Sequence, residues 1–389
     1  MGWKHNCLLG ALLAFTSIGF ALQPDSLPGK IAGRIKLSED ARYVHSLQFS
    51  PCGSFLVFVE RTTQLIGDTV RSDEKLYVVT LKDYTQKLLP IKFDLGSERC
   101  VAFSPSGQYL AVAEAPRKLT LLSVPDMRKV FSIALSEVQK LVRCGDLMPD
   151  QDFTCIAFSV DGKHLCVATE EIRTKPEQAF SAGVLPSHVY VFSMKKWELR
   201  SHFIANGLRI VSLVMPDEAT IIAAQGDGLH IYDIGGQEVE GKGSRGHYYD
   251  YELMDLALNS AGDCFAACHL IGRICLYNMA SIRKRDHRAY VLRYAGAEYK
   301  HVFFSKDGRW LFVAGSEYMP ATQQEVKYGT LHVYNVGKRQ LHARYFFPES
   351  ELREVALSPD GKLLATYTCL PSREILVWQL PGTYHCASH

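Results

Sequence analysis

Apolar residues come along this chain in short bursts of about four to eight, cut by Gly, Pro, Asn and Asp, and many of the bursts are apolar on both faces. ALSPDGKLLATY (356–367) shows the unit: an apolar strand, a tight turn, a second strand. AFSPSGQYLAVA from Ala102, AFSVDGKHLCVA from Ala157 and FFSKDGRWLFVA from Phe303 repeat it. Taking the residue at the Phe position of the FSPDG turn as an anchor, seven copies align on Phe49, Phe103, Phe158, Val214, Leu258, Phe304 and Leu357, roughly 50 residues apart.

Each copy continues in the same way. A third strand ends in a bulky residue and a small polar one, as in LYVVTL, LTLLSV, VYVFSM, LHIYDI, ICLYNM, LHVYNV and ILVWQL, and a more variable fourth strand follows. Strands apolar on both faces need cover on both sides, which neighbouring copies supply. The pattern predicts an all-β fold, a single seven-bladed β-propeller of four-stranded antiparallel blades. The last copy has no evident fourth strand after ILVWQLPG, whereas AGRIKLS (32–38) precedes the first copy. That segment is expected to become the outer strand of the seventh blade and to close the ring, removing exposed edges. The domain is expected over 32–381, with 382–389 as a C-terminal tail.

The hairpin with a third strand ending in Trp-Asp or its substitutes resembles the WD-repeat propellers, over essentially all of 32–381. The resemblance is to the superfamily's motif and it is degenerate. Trp378 is followed by Gln379, Tyr232-Asp233 is the nearest approach to Trp-Asp, and most copies lack the Gly-His pair before strand one. The resemblance implies a binding scaffold with an imperfect hydrogen-bonded tetrad in its blades. Other seven-bladed propellers, lactonase-like enzymes among them, remain the alternative kin.

Composition changes the picture little. A chain of 389 residues with 47 % hydrophobic and 22 % charged residues is an ordinary folded protein, and a formal charge of +2 gives no pull toward nucleic acid. The N-terminus adds more. Lys4 and His5 precede an uncharged apolar run from Asn6 to Gln23, short for a bilayer span but normal for a signal peptide, with Gly19 and Ala21 suited to cleavage after residue 21. The expectation is a signal peptide over 1–21 and a secreted, periplasmic or otherwise extracytoplasmic monomer with no later membrane span; the alternative is a tether formed by the uncleaved segment. Eleven cysteines would become ten after cleavage. In FAACHLIGRICLY a two-residue turn at Ile271-Gly272 places Cys268 opposite Cys275, a possible disulfide at the less favourable hydrogen-bonded pair position, against the reading of both as buried apolar thiols.

Candidate chemistry is sparse. GQEVEGKGS (236–244) mimics a phosphate loop but has Gly243 where Ser or Thr belongs, HCASH at the end is too thin a metal site, and no CxxC, HExxH or GxSxG is present. No catalytic residue, metal ligand or cofactor is assigned. The first strand of each blade should line the central channel, and three residues before the anchors stand Ser46, Cys100, Cys155, Val211, Asp255, His301 and Glu354. Asp255, His301 and Glu354 come from consecutive blades, with Arg99, Arg209 and Arg353 next to that rim. These six are the candidate binding residues, and an Asp/His/Glu group could also hold a metal or do acid–base work. Eleven residues after the anchors a second polar set, including Glu60, Glu114, Thr169, Gln225 and His269, is expected on the same face. So are the long connections RTTQLIGDTVRSDE, EEIRTKPEQAFSAGVLPS and SEYMPATQQEVKYG, and the loop carrying Tyr248, Tyr249 and Tyr251. Long loops on one rim of a rigid scaffold are where binding concentrates. The function read from this is a non-enzymatic platform for a protein or peptide, the alternative an extracytoplasmic lactonase-like or metal-assisted enzyme with its site in the channel.

Overall fold

The computed structural model describes residues 27–66, 69–93, 99–115, 117–142, 150–172, 186–205, 209–239, 253–284, 286, 288–318, 327–347, 351–368 and 373–384. The signal segment 1–21, Tyr248, Tyr249, Tyr251 and the end of the tail from 385 lie outside them.

Seven antiparallel sheets form the ring of a β-propeller, one sheet per predicted copy. Every anchor is the last residue of a blade's innermost strand: Ala41–Phe49, Val101–Phe103, Gln151–Phe158, Ile210–Val214, Leu253–Leu258, Ala297–Phe304 and Leu352–Leu357. The serine after the anchor explains why the hairpin recurs. In blade 7 the Ser358 hydroxyl donates to Asp360 Oδ1 (2.7 Å) and accepts from the Leu363 amide (2.8 Å), while Gly361 takes the left-handed φ of 72° that closes the turn. Ser159 and Ser305 make the same pair of bonds with Asp161 and His164 and with Asp307 and Trp310. The turn is thus specified locally, and only the stacking of blades is left to the apolar faces.

Six sheets have four strands; the sheet of blade 4 has three, Ile210–Val214, Thr220–Gln225 and Gly228–Asp233. An antiparallel bridge between Tyr232 and Glu238 begins its fourth strand position, and the following residues 240–252 are not described. Closure of the ring follows the expectation, two residues upstream. Lys30–Lys36 pairs antiparallel with Glu374–Gln379 as the outer strand of blade 7, Ile35 opposite Ile375. Ile35 is fully buried there, within the cluster that joins blades 7 and 1. Gly33 lies so close beneath the Tyr84 ring of blade 1 that a Cβ would come within 2.1 Å of it.

Three local features differ from the expectations. The Cys268–Cys275 disulfide is not formed: the turn uses three residues, Leu270 to Gly272, because Gly272 supplies a left-handed φ of 70° at its third position. That slips the register by one, so Cys268 faces Ile274, Cys275 faces Ala267, and the two thiols point to opposite faces. The first long connection is largely strand, since Phe55–Ile66 and Thr69–Thr80 pair along their whole length. Its Thr, Val, Leu and Ile content suits a pleated ribbon better than a loop. Finally, Gly382–Tyr384 form a 3-10 turn rather than a free tail, and Tyr384 is buried with its hydroxyl 2.8 Å from that of Tyr345.

Of the tetrad implied by the WD-repeat resemblance, blade 7 holds one bond: Trp378 Nε1 donates to Thr366 Oγ1 at 2.8 Å. Blades 6 and 4 put tyrosines in that third-strand place, Tyr334 meeting the Tyr299 hydroxyl and Tyr232 accepting from Gln225.

Candidate functional site

The innermost strands enclose a cavity of about 730 Å³ along the propeller axis, lined by residues from all seven blades. All six rim residues singled out in the sequence, Arg99, Arg209, Asp255, His301, Arg353 and Glu354, lie on its wall. A one-residue bulge before position −3 of the innermost strand in blades 3, 5, 6 and 7 turns those side chains inward.

Asp255 is the most heavily bonded of them. Its Oδ1 pairs with Arg99 Nη1 and accepts from Ser212 Oγ (3.1 Å) and its own strand's Leu256 amide (2.6 Å), while Oδ2 accepts from the Val302 amide of blade 6 (3.1 Å). Arg99 comes from blade 2 and so reaches across the axis to blade 5, touching Ser212 of blade 4 on the way at 2.9 Å. Burial opposes the Arg99 charge, but the Asp255 carboxylate against it prevails and holds the guanidinium above its ordinary pKa. Burial of Cys155 beside it pushes that thiol up to about 12, so it stays neutral.

His301 and Glu354 repeat the blade-to-blade pattern. His301 Nε2 donates to the Arg353 carbonyl of blade 7 (2.7 Å), and Glu354 Oε2 accepts from the Leu47 amide of blade 1 (3.3 Å). His301 stands 3.9 Å from Asp255 Oδ2 and 3.8 Å from Glu354 Oε1, bridging the two carboxylates. The three residues read as a candidate metal or acid–base cluster therefore form a polar seam in which each bonds the backbone of the next blade. Among the described residues no group of three His, Cys, Asp or Glu side chains is disposed to hold a metal ion.

The remaining cations ring the mouth. Arg353 Nη2 contacts Glu351 Oε2 at 2.7 Å, Lys300 Nζ bonds the same carboxylate, and Arg209 Nε lies 3.4 Å from Glu170 Oε2. Arg99, Arg209, Lys300 and Arg353 on the wall face two lining carboxylates, Asp255 and Glu354. The lining itself carries four basic side chains against two carboxylates, and Glu351 and Glu170 counter three of those cations from the rim. Ser212, Lys300, Glu351 and Glu170 were missed in the sequence, because partners supplied by other blades carry no local motif.

The second polar set does not join this wall. Glu60 accepts from the Ser38 amide (3.0 Å), Glu114 from Thr120 and Lys129 (2.6 and 2.9 Å), Thr169 bonds Gln151 and Gln225 bonds Tyr232. These residues end second strands whose partners lie within the blade or toward its outer side.

Fold and site together define a seven-bladed β-propeller with a polar-stitched central cavity. No family model matches the chain, and no curated protein matches it.

Proposed function

We propose that the protein is a binding scaffold, with kinship to the WD-repeat propellers, that takes an acidic segment of a protein or peptide into the mouth of its central cavity. The observation that carries this reading is that four basic side chains line one concave site, three of them countered by the rim carboxylates Glu351 and Glu170. Concave polar sites on rigid β scaffolds recruit ligands by charge and shape, and an acidic chain would exchange partners with Glu351 and Glu170 at the rim. Selection of a random displayed peptide library on the folded protein tests it. Asp/Glu-containing peptides whose binding falls at least ten-fold in the Arg209→Ala/Arg353→Ala double variant, and weakens with added salt, are expected. Binders without acidic residues, or indifferent to the double variant, would sink the reading.

We further infer export from the N-terminal apolar run Asn6–Gln23. The mature mass from the native host should begin at Leu22; a full-length mass contradicts it.

A further inference from the structure

We propose that Ser46 is an activated nucleophile, with His45 as its base and Glu74 orienting the imidazole, that accepts an acyl group from a carboxylic ester entering the central cavity. The inference goes beyond peptide binding and starts from an irregularity in blade 1. Its innermost strand bulges where the others do, between Ala41 and Tyr43, and then a second time between His45 and Gln48. The described innermost strands of the other blades show no second bulge. Inside it Ser46 adopts φ 56°. Every other described non-glycine residue with positive φ, from Tyr84 to Arg339, lies outside the strands. A left-handed residue inside a strand is strained, and such strain collects at functional positions.

The bulge has a chemical consequence. Adjacent strand residues normally point to opposite faces, yet here Ser46 Oγ comes within 3.3 Å of His45 Nδ1. On the far side of the ring, His45 Nε2 lies 3.5 Å from Glu74 Oε1, and both side chains are fully buried. Arg61 grips the same oxygen at 2.5 Å from its Nε and Nη2, fixing the carboxylate. His45 Nε2 makes no hydrogen bond, Glu74 Oε1 standing 3.5 Å away; in the tautomer with its proton on Nε2, which that carboxylate favours, the imidazole presents its Nδ1 lone pair to the serine. Nucleophile, base and orienting acid thus stand in series, with the somewhat long spacings usual before substrate binds. Ser46 is among the residues of the cavity wall, 6 % exposed, with its hydroxyl between His45 Nδ1 and Cys100 Sγ. Cys100, whose Sγ is 3.6 Å from Ser46 Oγ, does not compete: burial pushes its thiol up to about 12.

The step balances without any cofactor. Ser46 Oγ bonds to the ester carbonyl carbon as its proton passes to His45 Nδ1; the carbon–oxygen bond to the alcohol breaks, and the departing alkoxide takes that proton from His45. Water then releases the acid by the reverse sequence. The neighbouring Leu47 amide donates to Glu354 Oε2 at 3.3 Å; while it does so it is not available to a developing oxyanion, and in this proposal that carboxylate acts as a brake.

The test uses the intact chain and a small alkyl fluorophosphonate, which loses fluoride to an activated serine and leaves a stable phosphonyl ester. Peptide mass spectrometry is expected to find Ser46 labelled stoichiometrically. The label should vanish in Ser46→Ala, form at least ten-fold more slowly in His45→Gln, and form faster in Glu354→Ala, which removes the acceptor of the Leu47 amide. Absence of label on Ser46 in wild-type protein with an intact circular dichroism spectrum overturns the proposal, and so does an unchanged rate in folded His45→Gln. Because the wild-type measurement decides by itself, a variant that fails to fold leaves the test intact. Peptide selection on Ser46→Ala should be unaffected, which separates failure here from failure of the binding reading.

Discussion

Asp255→Ala is expected to be the most damaging single change on the cavity wall, costing about 3–5 kcal/mol of unfolding free energy. The carboxylate satisfies two backbone amides on two blades, Leu256 and Val302, as well as Ser212 and Arg99. Its removal leaves the Arg99 guanidinium without its counter-charge in the site where burial already opposes it. The size of the loss reflects that stranded cation more than the intrinsic worth of the pair. The double variant Arg99→Ala/Asp255→Ala should therefore be more stable than Asp255→Ala alone, an interaction visible in a double-mutant cycle by urea denaturation. If the double variant instead loses the sum of the two single effects, the cross-channel clasp does not couple blades 2 and 5.

Ile35→Asp is expected to open the ring. Ile35 is the closing strand's fully buried side chain, packed with Val44, Phe58, Ile375 and Val377 where blade 7 meets blade 1. An unpaired carboxylate there adds a desolvation cost to the lost packing, together about 4 kcal/mol or more. The consequence is topological as well: once the outer strand lifts, the edge of Glu374–Gln379 is exposed. Limited proteolysis should cut between Lys30 and Lys36 far faster than in wild type, and the protein should aggregate on concentration. The neighbouring Arg34→Ala removes an exposed pair with Glu374 and should cost under about 1 kcal/mol. Equal proteolysis of Ile35→Asp and wild type would mean that this strand does not hold the circle.

What could be read from the sequence follows the locality of the physics. In blades 3, 6 and 7 the hairpin is specified within a few residues by a serine that caps, an aspartate that accepts and a glycine at positive φ. The looser turns of the other copies keep the same flanking strands, so the copies announced seven blades and located every innermost strand. The closing strand was legible for a similar reason: the seventh copy lacked an outer strand and the chain before the first copy offered one. Register was less legible. A turn of two or three residues at Leu270–Gly272 decides which of two cysteines faces the other, and apolar alternation reads equally well either way. At the site, the repeat gave position, so Asp255, His301 and Glu354 could be placed on one wall by counting from the anchors. It gave no partners: Arg99 meets Asp255 across 156 residues of chain, and neither residue carries a mark of the other. His45 and Ser46 were invisible as a pair, since a regular strand would send them to opposite faces and only the second bulge in blade 1 brings Ser46 Oγ to His45 Nδ1.

Amide hydrogen exchange with a library-selected acidic peptide bound tests directly whether the cavity mouth is the ligand site. Slowed exchange is expected at Leu253–Leu258, Ala297–Phe304 and Leu352–Leu357, with outer strands such as Arg128–Ala134 unchanged. Protection confined to the outer strands, with the innermost strands unaltered, would contradict it.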